Sequence, residues 1–224
     1  MAGAALLETV EHETGADPQW TVLWLHGLGA DGHDFAPIVP ELVRRDWPAL
    51  RFVFPHAPVR PVTINNGLRM RAWYDIAGMD FATRADSDGI AESMAQVEAL
   101  IAREHERGIP AGCLLLAGFS QGGAVALALG TRREAPLAGL IALSTYLPGA
   151  DGLAGFASAA SKRQPVFMAH GLGDPVVPLL YGKSSAEALR GAGYAVEWHA
   201  YPMAHQVCAE EIRDLGDWMT ARLA

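Results

Sequence analysis

Short, continuously apolar runs of strand length alternate with longer stretches of helical periodicity along most of this chain, and few folds accept that order. The runs fall at residues 21–25, 52–54, 114–117, 140–143, 166–169 and 196–199. Between them Ile90, Met94, Val97 and Ile101 recur at helical spacing, and Ile212, Leu215 and Met219 do so near the end. Such alternation predicts crossover helices packed over a parallel sheet. The runs do not alternate apolar with polar residues, as expected when helices cover both faces. The reading is an α/β protein with a central, mostly parallel β-sheet and helices on both faces. Half of the 224 residues are hydrophobic and 19% are charged, enough apolar surface for one domain over residues 1–224. No internal repeat, low-complexity tract or linker divides the chain.

A net charge of −8 without a basic stripe argues against nucleic acid as a partner. No apolar run approaches the roughly 18 to 20 residues needed to span a bilayer, so stable membrane insertion is not expected. The first residues turn acidic by Glu8 and lack the cationic start and long apolar stretch of a secretory signal. Cys113 and Cys208 lie far apart in no metal or redox spacing, which suits free thiols in a reducing compartment. These features together predict a soluble, cytoplasmic protein.

In parallel sheets, ligands bind beyond the carboxyl ends of the strands. Four run ends carry chemistry: His26-Gly27-Leu28-Gly29, Gly118-Phe119-Ser120-Gln121-Gly122, His170-Gly171-Leu172-Gly173-Asp174 and Tyr201-Pro202-Met203-Ala204-His205. The second is a G-x-S-x-G pattern between an apolar run and a helix-prone one. It sets Ser120 on a sharp strand-to-helix turn, with the amide of Gln121 facing the space where negative charge would develop. A serine hydroxyl is a weak nucleophile and needs an imidazole to take its proton, and the imidazole needs a carboxylate to fix its tautomer. The chain order Ser, Asp, His is met by Ser120, Asp174 and His205. His199 is a rival base, but it falls inside a strand run and not at its mouth. The glycine-rich turn after the first run offers the Leu28 amide as a second oxyanion donor. His26, His56 and His170 read as hydrogen-bonded loop supports. Asp31, His33 and Asp34 match no strong ligand pattern, so no metal is assigned, and Asp34 reads as the cap of a helix over residues 35–43. The irregular stretch 55–88, with three prolines by residue 61, reads as a lid or pocket wall.

The chain resembles the carboxylesterase and phospholipase group of α/β-hydrolases that includes the acyl-protein thioesterases. The likeness rests on Leu25-His26-Gly27-Leu28-Gly29-Ala30-Asp31-Gly32, Phe54-Pro55-His56-Ala57-Pro58 and Trp73-Tyr74-Asp75-Ile76. It continues through Gly118 to Gly123, His170-Gly171, Asp174-Pro175-Val176-Val177-Pro178 and Met203-Ala204-His205. It implies an α/β-hydrolase fold, a Ser120 nucleophile, an Asp174 acid and a His205 base. It also implies an oxyanion hole from the Leu28 and Gln121 amides, and no cofactor. Substrates would be carboxylic esters of short to medium acyl chain, small or lipid-like, with Met70, Trp73, Tyr146 and Val176 lining the pocket. Three departures bear on loop geometry: Ala204 where many relatives have glycine, Thr145 in place of a smaller residue, and Arg71 where proline is common. Relatives often pair, which leaves a homodimer open. Two other readings also stand beside the ester hydrolase: an acyl-protein thioesterase or lysophospholipase, and a non-catalytic binding protein that kept the fold.

Overall fold

A computed structural model describes residues 6–78 and 86–223. Its strands are β1 (Thr9–Glu13), β2 (Trp20–Leu25), β3 (Leu50–Pro55), β4 (Val59–Val62), β5 (Leu68–Arg71), β6 (Leu114–Phe119), β7 (Gly139–Leu143), β8 (Val166–Gly171) and β9 (Val196–Tyr201). Seven of them form one sheet in the order β1-β3-β2-β6-β7-β8-β9. Only β1 runs antiparallel to its neighbour; the other pairs are parallel. The helices are α1 (Val39–Leu42), α2 (Ser87–Glu106), α3 (Gln121–Gly130), α4 (Leu153–Phe156), α5 (Leu179–Gly191) and α6 (Ala209–Leu223).

All six apolar runs are strands of the main sheet. Because side chains alternate across a strand, each run supplies two cores. Leu23, Leu25, Leu114 and Leu116 pack on one face with Ile90, Val97 and Ile101 of α2, the apolar residues of α3, and Leu189 of α5. Val22, Trp24, Leu115 and Ala117 pack on the other with Val39 and Leu42 of α1 and Leu215, Trp218 and Met219 of α6. Fully burying each such aliphatic side chain contributes about 1.5–3 kcal/mol, so the sheet is the rigid part from which the strand ends project. The helix α2 starts where Asp86 accepts a hydrogen bond from the Gly89 amide at 2.9 Å, a side-chain cap of the usual kind.

Three elements depart from the sequence reading. The edge strand β1, Thr-Val-Glu-His-Glu, has no buried face and so lacks the apolar run that marks the others. In the stretch read as irregular, β4 and β5 form an antiparallel hairpin that turns at Asn66 and Gly67, both with positive φ. That Asn-Gly pair is a turn signal with a mechanism. Residues 79–85 of the same stretch lie outside the described residues. The helix expected over residues 35–43 is a single 3-10 turn, Ala36–Ile38, followed by the four-residue α1. Pro37 and Pro40 remove the amides a longer helix needs, and no side chain caps the turn, so Asp34 does not have the role assigned to it.

Candidate active site

Strand β6 ends at Phe119 and α3 begins at Gln121, so Ser120 alone makes the turn, with φ 52° and ψ −120°. A non-glycine residue held there stores on the order of 1–3 kcal/mol of strain, which surrounding structure must over-determine. It does: the Ser120 amide donates to Leu143 O at 2.9 Å, and its carbonyl accepts from the Thr145 hydroxyl at 2.6 Å and the Ala124 amide at 3.1 Å. Thr145, a departure in the sequence, is thus a brace for the strained serine. Close approach requires the glycine after the elbow. A Cβ on Gly122 would sit 2.4 Å from Leu25 O, so α3 can start against the end of β2 only with no side chain there.

Ser120 Oγ lies 2.9 Å from His205 Nε2, and His205 Nδ1 lies 2.7 Å from Asp174 Oδ2. The other carboxylate oxygen, Oδ1, accepts the amides of Val176 at 2.8 Å and Val177 at 2.9 Å. A carboxylate engaged this way accepts and does not donate, so His205 carries its proton on Nδ1 and presents the Nε2 lone pair to the serine. Phe119 packs on the imidazole, with ring centroids 4.7 Å apart. The loops bearing Asp174 and His205 are stitched together by main-chain bonds from Leu172 N to Tyr201 O at 2.8 Å and from Gly173 N to Met203 O at 3.1 Å. Ala204 is not among the residues with positive φ, so alanine in place of glycine introduces no strain at that turn. His199 does not meet the serine: its Nε2 bonds Glu197 at 2.9 Å and its ring stacks on Phe167.

The turn after β2 is held by the buried His26. Its Nε2 accepts the Ala57 amide at 3.1 Å, leaving Nδ1–H to donate to Gly27 O at 2.7 Å. Burial lowers its pKa to about 4, keeping the ring neutral. The same Gly27 carbonyl also receives the Ala30 amide at 3.3 Å. In a planar trans peptide the N–H points opposite to the C=O, so anchoring Gly27 O aims the Leu28 N–H away from it. Gly27 lies beside Ser120: a Cβ on it would be 3.5 Å from the serine Cβ. Arg71, another departure, bonds Ala57 O at 2.9 Å through its guanidinium, and its carbonyl takes the Gly29 amide at 2.9 Å. His170 supports the acid loop in the same neutral manner, with Nε2 bonded to Val177 O at 2.8 Å and its pKa lowered by burial.

A cavity of about 180 Å³ opens at the serine, walled by Leu28, Ile64, Asn65, Tyr74, Ile76 and Tyr146 together with Ser120, Gln121, Val176 and Val177. Tyr146 and Val176 are where the sequence puts pocket lining. Trp73 requires correction: it is fully buried, its indole N–H donates to His26 O at 2.9 Å, and it braces the first loop from behind. Met70 does not line the cavity either; its sulfur accepts the side-chain amide of the lining residue Asn65 at 3.3 Å. Its place in the wall is taken by Ile64, Asn65 and Ile76, from the stretch read as a pocket wall. Gln121 contributes more than its amide. Its side chain accepts from Trp73 N at 2.8 Å and donates to Tyr74 O at 2.7 Å, pinning the elbow to that wall. No periodicity signals such a bond; it depends on two distant loops meeting.

Folding also brings His56 to Asp31 and His33, with ligand-type atoms within 4.8 Å of one another. The hydrogen bonds there describe a loop clamp. His56 Nδ1 accepts the Gly32 amide at 3.1 Å, which leaves its proton on Nε2, and Asp31 Oδ1 is taken by the His33 amide at 2.8 Å. That tautomer leaves His56 no free lone pair for a cation.

A hydrogen-bonded serine, aspartate and histidine in the chain order Ser, Asp, His, on the ends of a mostly parallel sheet, is the arrangement of an α/β-hydrolase, and this molecule is a carboxylesterase-type serine hydrolase of that fold. The phospholipase/carboxylesterase family model matches residues 8–222, and the chain belongs to that family. It is 41% identical over 212 residues to acyl-protein thioesterase 1 of Neurospora crassa, covering 91% of this chain and 86% of the relative. Among solved structures, Arabidopsis thaliana SOBER1 superposes with a TM-score of 0.84 at 31% identity, over 92% of this chain and 99% of that one. Zea mays acyl-protein thioesterase 2 gives 0.82 at 29% identity, over 96% and 99%. Among the described residues no helix is long and apolar enough to cross a membrane.

Proposed function

We propose that the chain is a single catalytic domain that hydrolyses carboxylic esters of short to medium acyl chain through an acyl-enzyme on Ser120, without a cofactor. The observation that carries this reading is the continuous relay from Asp174 through His205 to Ser120 at 2.7 and 2.9 Å. His205 Nε2 takes the hydroxyl proton as Ser120 Oγ attacks the carbonyl carbon, and Asp174 stabilises the imidazolium. The negative oxygen of the tetrahedral intermediate is met by the amides of Leu28 and Gln121, both at the cavity that holds the serine. When the intermediate collapses, the imidazolium returns its proton to the departing alcohol. A water deprotonated by the same Nε2 then attacks the acyl carbon and frees Ser120. A small, mostly apolar cavity beside the serine supports an acyl group of modest size, and Val176 and Tyr146 are proposed to touch it.

The thioester reading has its own support in the relatives named acyl-protein thioesterase. Attack on a thioester uses the same groups, with a thiol leaving. Turnover of an S-acylated protein against that of a short aryl ester separates the two readings. The proposed substrate is a small or lipid-like ester reached from water, with no nucleic acid partner, and the free thiols Cys113 and Cys208 suit a cytoplasmic location. A homodimer is compatible with the fold; sedimentation tests it. The central experiment is reaction with an alkyl fluorophosphonate followed by peptide mass mapping. The adduct is expected on Ser120; an adduct elsewhere, or none, overturns the mechanism.

A further inference from the structure

A second cavity, of about 230 Å³, adjoins the first and opens at the surface, walled by Leu147, Ala150, Asp151, Leu180, Tyr181 and Ser184 among others, with Leu180 69% exposed. Tyr146 belongs to the walls of both cavities. Its hydroxyl is hydrogen-bonded to that of Tyr74 at 2.8 Å, and both rings are buried in the same apolar core. A cavity of about 150 Å³ accommodates a six-carbon ring, so the 180 Å³ space at Ser120 holds an acyl chain of roughly six to seven carbons. Because Tyr146 is the residue common to both walls, a longer linear chain that runs from the first space into the second must pass its ring. Moving that ring aside parts the two hydroxyls within apolar surroundings, where a lost hydrogen bond is not replaced by water.

We propose that Tyr146, latched by Tyr74, is the partition that sets acyl-chain length, and that the space behind it is a second, latent acyl subsite for saturated linear chains. This rests on the hydrolase reading above and deepens it. Two features support it. The second cavity's wall is largely apolar, as a hydrocarbon requires. It also continues along the same segment, Val177 lining the first space while Leu180 and Tyr181 line the second. With the latch closed the molecule discriminates against long chains; with Tyr146 truncated the two spaces join.

The test is the ratio of kcat/KM for the twelve-carbon and six-carbon 4-nitrophenyl esters, both below their critical micelle concentrations. A ratio cancels any general loss of activity from changing a pocket residue. The native protein is expected to give a ratio below about one tenth, and Tyr146→Ala to raise it at least tenfold. Tyr74→Phe and Tyr146→Phe keep both rings and remove the latch, and should raise it about threefold; they carry the test if the alanine variant does not fold. Equal rates for both esters in the native protein, or a ratio unmoved in the alanine variant or in both phenylalanine variants, overturns the proposal. Failure of a short fluorophosphonate to label Ser120 strikes the hydrolase reading itself, and this inference falls with it.

Discussion

Replacing His26 with Ala removes two hydrogen bonds that orient one peptide group. Ala57 N–H loses its acceptor at 3.1 Å, and Gly27 O loses its donor at 2.7 Å, in a region only 2% exposed at His26. The buried Ala57 amide left unpaired costs about 1–3 kcal/mol, and the bond lost from Gly27 O, which keeps the Ala30 amide, about 0.5–1.5 kcal/mol, so stability should fall by roughly 1.5–4.5 kcal/mol. The kinetic consequence is more specific. With Gly27 O held only by the Ala30 amide at 3.3 Å, the Leu28 N–H loses its fixed aim. Complete loss of an oxyanion donor lowers kcat by about 10²–10³, and a loosened one by part of that, about 10–100-fold. KM should change little, because Ile64, Asn65, Tyr146 and Val176 of the cavity wall are untouched. The assay is steady-state hydrolysis of a short aryl ester, with active sites counted by phosphonate titration and folding verified by circular dichroism. A folded variant with kcat within twofold of the native value would refute the account of how the first loop is aimed.

Asp174→Asn retains the shape of the acid loop but favours the wrong imidazole tautomer, so kcat should fall by about 10⁴ with labelling of Ser120 slowed in parallel; competition labelling with a fluorophosphonate measures it. Gly122→Ala forces a Cβ to within 2.4 Å of Leu25 O, and should cost about 3 kcal/mol or more or prevent folding, read as a fall in the urea midpoint. Glu211 is fully buried, and burial raises its carboxyl to about 8. A carboxyl with a raised folded pKa binds its proton more tightly in the native state, so stability falls as pH rises from about 4.5 to about 8. His26, lowered to about 4, contributes the opposite slope between about 4 and 6.5, because the native ring resists protonation. The two oppose each other up to about pH 6.5, and above it Glu211 acts alone. Glu211→Gln should therefore flatten the decline between pH 6.5 and 8, worth on the order of 2 kcal/mol; an equal slope in denaturation curves of both proteins would disprove it.

Strands of the sheet interior are legible because burial on both faces demands apolar residues at every position, as in Leu114 to Ala117. Edge strand β1 escapes notice because only Val10 of it packs, half-buried, on the core, and it keeps Glu11, His12 and Glu13. The strand-end histidines and glycines point to the site, since a ligand can reach only the open rim of such a sheet. The cavity wall is harder to read. Trp73 looks like a pocket residue by type, and only the fold reveals that its indole is turned inward to His26. Ile64 and Ile76 carry no signature beyond hydrophobicity, and their place depends on a hairpin whose register is set by Asn66 and Gly67. Gln121 illustrates a third case: its backbone role follows from the serine motif, while its side-chain bonds to Trp73 and Tyr74 follow from tertiary contact alone.

The main-chain bonds joining the turn after β8 to the turn after β9 make the acid and the imidazole passengers on one body. The serine rides on another, the elbow between β6 and α3. Thermal or solvent perturbation will therefore change the gap between oxygen and Nε2 before it changes the grip of carboxylate on Nδ1. Transplanting residues 171–174 into a related scaffold without residues 201–205 would break that body in two, whereas moving them together would carry the carboxylate–imidazole pair intact.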